Sequence, residues 1–213
     1  MSAGTFEVDA EDGVDKWEGD GCAGDRVAPF ERAGTAARSP SEPLLTYDLT
    51  VVAADVPSVV AAAGGWLCDR VRAGWQVTVV VPAEQDLRAL QIMGVRADDV
   101  TPVAQALRER SATAWAVDAT VLDRDADLRR EVQRALTQGR TEVTVWGASD
   151  LAAADRRFTA VRHRLSAAAR AFKRHALLNC GRGGQVSPAE DFRSAALWYP
   201  VDGADLVPIS AGD

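Results

Sequence analysis

The sequence predicts an α/β protein. We expect a three-layer sandwich with a mostly parallel sheet of about four to six strands, Rossmann-like without a nucleotide fingerprint, plus a long basic amphipathic helix. Three observations carry this. Short β-branched apolar runs alternate with stretches of helical spacing from residue 44 onward. The turn after the first such run reads AADVPS, with neither a glycine cluster nor a Lys-Ser/Thr pair, so it is neither a phosphate loop nor a dinucleotide fingerprint. The stretch Arg162 to Asn179, RHRLSAAARAFKRHALLN, holds no acidic residue in a chain of net charge −7.

Taken in order, YDLTVVAA (47–54) is a buried strand. Pro57 then opens a helix carrying Val59, Ala63, Trp66, Leu67 and Val71 at helical spacing. Gly64 and Gly65 weaken that helix, so close packing is expected to compensate, and Gly74 stops it. WQVTVVVP (75–82) is the next strand, and a strand–helix–strand unit of this length implies parallel pairing. Residues 84–93 and 101–110 read as helices with a short link between them. TAWAVDATVL (113–122) is a strand, 125–138 a helix of mixed charge ending at Gly139, and TEVTVWG (141–147) a fourth strand. Ser149 or Asp150 caps a helix expected to run over 152–179. CGRGGQ is its stop, SPAE (187–190) has the form of a capping box for a short helix to about Ala196, and LWYPVDGADLVPI suggests a hairpin around Asp202–Gly203.

Residues 1–43 carry ten acidic residues against Lys16, Arg26, Arg32 and Arg38, and they show no persistent period. Such a segment is expected to be a disordered acidic tail, with 44–213 forming the single α/β domain. Arginine is used almost throughout in place of lysine and alanine is abundant, as in a high-GC, actinobacterial-like composition. Three isolated cysteines, no signal-peptide pattern and no long apolar run give a cytoplasmic expectation without a membrane.

Metal and nucleophile motifs are poor: no Cys-x-x-Cys and no nucleophile elbow stand in the sequence. His163 and His175 are the only histidines, and on one helix they would stand about 18 Å apart. No cofactor and no metal site is expected. One constellation survives. Ligands of parallel sheets sit beyond the carboxyl ends of the strands, and Asp55, Glu84, Asp123 and Asp150 stand at those ends. Asp55, Asp123 and Asp150 are the candidate catalytic carboxylates, with helix capping as their ordinary role.

Treated as one helix, 152–179 places Leu151, Phe158, Leu165 and Phe172 on an apolar seam. Arg156, His163, Arg170, Lys173 and Arg174 form the opposite basic stripe. Like-charge neighbours along a helix repel, and an anionic partner would relieve them. The expectation placed first is therefore a non-catalytic binding or regulatory protein engaging nucleic acid or an acidic protein surface through this helix. The alternatives are an enzyme or nucleotide/phosphate-binding domain with an acidic site at the strand ends, and a structural module forming a homodimer through the seam.

Overall fold

Alternating β-branched and helical runs do build the core of the molecule. The structure, a computed structural model, describes residues 47–98, 102–110, 112–195 and 205–209. The acidic segment 1–43 and the Asp202–Gly203 turn lie outside them. In chain order the elements begin with β1 (Asp48–Val52), α1 (Val56–Arg72), β2 (Gln76–Val80), α2 (Arg88–Ile92), β3 (Arg96–Asp98) and α3 (Val103–Glu109). They continue with β4 (Ala114–Asp118), α4 (Ala119–Arg124), α5 (Ala126–Gln138), β5 (Glu142–Trp146) and α6 (Asp150–Ala154). Last come β6 (Thr159–Arg164), α7 (Ala167–Asn179), β7 (Ala189–Ala195) and β8 (Val207–Pro208).

The strands form one eight-stranded sheet of order β3-β2-β1-β4-β5-β7-β6-β8. β3 through β5 are parallel, whereas β7, β6 and β8 add antiparallel pairings beyond β5. Side chains alternate across the sheet. Leu49 and Val51 join α1, α2 and α7 in one core, and Val52, Trp115, Val117, Val143 and Val145 join α3 to α6 in the other. These are the three expected layers.

The long basic helix is corrected. Asp155 ends α6 by accepting from the backbone and side chain of Arg157, and the chain then enters β6. From Val161 to Leu165 burial follows a period of two, with Val161, His163 and Leu165 buried, and Phe158 is buried just before the strand. Ser166 then caps α7 by accepting from Ala169 N–H at 3.0 Å. The seam consequently does not exist as one face. Phe158 belongs to the core under α5 and Leu165 to the core under α1, while Phe172 is 40% exposed. The homodimer expected through that seam loses its geometric basis.

The short helix expected after SPAE is the strand β7, in which Glu190, Phe192 and Ser194 point inward alternately. Ser187 donates to Ala189 C=O instead of capping a helix. A strand in the 94–100 link (β3) and a helix after β4 (α4) were not expected.

Helix α1 is braced at its middle by side chains from β7 and α7. Glu190 accepts from Gly65 N–H and Trp66 N–H, both at 2.8 Å, and Lys173 Nζ donates to Ala61 C=O at 2.6 Å and to Glu190 at 2.5 Å. In a regular helix Gly65 N–H would meet Ala61 C=O; here both groups have partners from β7 and α7. Gly65 is needed because a Cβ there would lie 2.1 Å from Leu165 Cδ2. The packing that compensates for the glycines thus comes from Leu165 and Met93, with the buried Lys173–Glu190 pair threaded between helices.

Candidate functional site

In an open parallel sheet the crevice forms where neighbouring strands send their connections to opposite faces. Here β1 leads into α1 on one face and its neighbour β4 leads into α4 on the other. The switch point is therefore at the carboxyl ends of β1 and β4. Asp118, the last residue of β4, is 4% exposed and ties the two ends together. One of its oxygens accepts from Ala54 N–H at 3.4 Å and the other from Thr120 N–H at 2.8 Å, starting α4.

Asp55 caps α1, accepting from Ser58 N–H at 2.7 Å. Gln85, in the loop after β2, accepts from Val56 N–H at 2.7 Å. Val59 N–H donates to Asp55 C=O, and Pro57 has no N–H. Every donor in the first turn of α1 is thereby engaged, so the usual phosphate seat at a helix N-terminus is closed. Glu84 holds a positive φ of 69° just before Gln85, a strained conformation for a residue with a Cβ. That turn aims Gln85 at α1 and leaves the Glu84 carboxylate exposed on the rim.

The remaining rim is also acidic. Asp86 is held ionised at about 2, chiefly by its hydrogen bonds with the Arg88 side chain. Across the switch point, Ser149 caps α6 and its hydroxyl reaches Asp123 at 3.5 Å, while Asp150 lies exposed in the first turn of α6. Gly147, at φ 84°, carries the β5–α6 turn against α4, where a Cβ would lie 3.2 Å from that of Ala119. Trp146, the last residue of β5 and paired with Asp118, buries an indole N–H without a partner.

The glycine-rich CGRGGQ reaches the same rim. It is a helix stop, with Gly181 at φ 68° and Arg182 N–H donating to Leu177 C=O. Burial raises the Cys180 thiol; Arg182 opposes this, and the carboxylates of Asp86 and Asp55 add to it.

The expected site residues are thus divided. Asp55 and Glu84 stand on the α1 side of the switch point, Asp123 and Asp150 on the α4 side, and no group of three His, Cys, Asp or Glu among the described residues could hold a metal ion. Asp118 and Gln85 were missed: Asp118 lay inside a run taken to be strand throughout. The basic stripe is dispersed. Arg156 lies exposed in the turn before β6, and Arg170 and Arg174 on the outer side of α7. Lys173 is buried against Glu190. His163 is buried in β6 between Asp69 and the backbone carbonyl of Asp205, at 3.0 and 2.8 Å.

No family model and no curated protein matches the chain. Among solved structures it is similar to a deacetylase triple mutant from the teicoplanin biosynthetic pathway, with a TM-score of 0.50 and 14% identity over 70% of this chain and 97% of that one. It is also similar to the 4-carboxy-2-hydroxymuconate hydratase of Pseudomonas putida KT2440, with a TM-score of 0.49 and 13% identity over 75% of this chain and all of that one. At such identities the likeness to the deacetylase establishes the fold, and that fold is one an enzyme uses. It corrects the expectation of a non-catalytic protein working through a basic helix, whose premise the split into α6, β6 and α7 also removes.

Proposed function

We propose that the chain is an enzyme of the α/β class whose substrate sits at the carboxyl ends of β1 and β4. The observation that carries this is the junction at the switch point, where the buried Asp118 binds the β1–α1 turn to the start of α4. It holds both walls of a crevice in fixed register. Catalytic groups need such rigid support.

The rim also selects among substrates. With every donor in the first turn of α1 engaged and Asp55, Glu84, Asp86, Asp123 and Asp150 at the strand ends, a nucleotide phosphate meets repulsion and finds no free amide at the start of α1. An uncharged or amine-bearing substrate fits better. Asp55 gives one oxygen to Ser58 and serves as the carboxylate that takes or returns a proton. Asp123, on the α4 side and within 3.5 Å of the Ser149 hydroxyl, is the second carboxylate of this reading. The free amide N–H groups of Gln85 supply donors for a substrate oxygen.

The likeness to a deacetylase makes acetylated amines and esters the first panel to test, with acetate release as the readout. Turnover by the full chain, reduced about a hundredfold or more in Asp55→Asn without loss of the cooperative melt, is the expected result. Ligand-induced amide shifts should centre on Ala54, Gln85 and Thr120. Binding that maps to the far end of the sheet would overturn the assignment.

A further inference from the structure

A second candidate site lies on the outer surface of the layer formed by α3 and α5, away from the switch-point turns. Arg108, Asp127, Arg130, Glu131 and Arg134 line a notch of about 440 Å³ between these helices, a volume typical of small-molecule sites. Its floor is Glu131, 5% exposed, which accepts from Arg108 Nη1 at 2.9 Å and from Arg134 Nη1 at 3.1 Å. Arg130 engages Asp127 through Nη2. Arg108 and Arg134 are each held through Nη1, leaving Nε and Nη2, the fork that meets two oxygens of one oxyanion side by side. Arg130, held through Nη2, adds charge and single donors.

Charge agrees with geometry. Three guanidiniums face two carboxylates in the notch, and both carboxylates are already taken up in orienting the arginines. A buried carboxylate gripping two arginines pre-organises long side chains that would otherwise lose rotamer entropy on binding.

We propose that this notch binds the phosphate group of a small metabolite, as a site separate from the acidic crevice. The test titrates the isotope-labelled full chain with inorganic phosphate at low ionic strength, with sodium chloride matched in ionic strength as the control. Saturable amide shifts centred on α3 and α5 are expected with phosphate alone. Arg130→Gln combined with Arg134→Gln should weaken binding about tenfold or more, and Arg134→Lys, which keeps the charge and loses the fork, should weaken it as well. Shifts that chloride reproduces, an unchanged affinity in the double variant, or full binding by Arg134→Lys would each overturn the proposal. Should the double variant melt early, Arg130→Gln alone replaces it, since Arg130 and its partner Asp127 are both exposed. An unchanged affinity there is equally fatal.

Discussion

Single residues decide where this structure is intolerant. Gly65→Ala would drive a Cβ to within 2.1 Å of Leu165 Cδ2, and overpacking of this kind costs about 1–3 kcal/mol. At Gly64 the nearest atom is Met93 Sδ at 3.0 Å, the flexible part of a side chain, so Gly64→Ala should be milder. Urea melts of the two variants measure the difference. Glu190→Ala strips Lys173 of its counter-charge in a site where both are almost wholly buried, and breaking such a pair costs about 3–5 kcal/mol. With Asp86, Asp155 and Asp191, Asp69 is one of the carboxylates that contribute to the acid limb of stability. Burial raises its pKa, but the hydroxyl and N–H of Ser166 together with His163 outweigh that, so the folded value lies below 3.8. A lowered folded pKa adds stability that is complete above the unfolded value and is lost as pH falls through the folded one. Asp69→Asn should therefore flatten the fall of melting temperature between neutral pH and the acid limit; an unchanged acid limb would refute this.

At the scale of elements, β1, β2, β4 and β5 were legible, whereas β3, β6 and β7 were not; β8 falls in the second strand expected after Asp202–Gly203. β1, β2, β4 and β5 are β-branched runs between helix caps, and those local signals are strong. The 152–179 stretch is ambiguous because its alanines and arginines are good helix formers while the period-two signal rests on Val161, His163 and Leu165 alone. Tertiary pairing of β6 with β7 on one side and β8 on the other decides the outcome. The same holds for β7, whose capping-box letters are overridden by Glu190 finding α1. At the site, strand-end carboxylates were visible as a class. The special roles of Asp118 and Gln85 were hidden, because their partners lie 64 and 29 residues away. One pair of variants separates the two architectures. Phe158→Ala should cost about 3–5 kcal/mol in the α5-side core, whereas Phe172→Ala, on the outer side of α7, should stay within about 0.5 kcal/mol. A shared helical seam would give two similar losses.

For the molecule as a whole, residues 1–43 carry ten acidic against four basic residues and no persistent period, too little apolar content to add to a core. A chain beginning at Leu44 is accordingly expected to unfold cooperatively at the temperature of the full chain, and loss of a cooperative transition in calorimetry would refute it. The opposite truncation should behave differently. Gly65 and Glu190 are 125 residues apart in sequence, so α1, the earliest of the described helices in the chain, receives its bracing carboxylate from one of the last strands. A nascent chain that ends before β7 lacks the Glu190 contacts to Gly65 and Trp66 and leaves Lys173 without its counter-charge, so the last residues to leave the ribosome complete the packing of the earliest described helix.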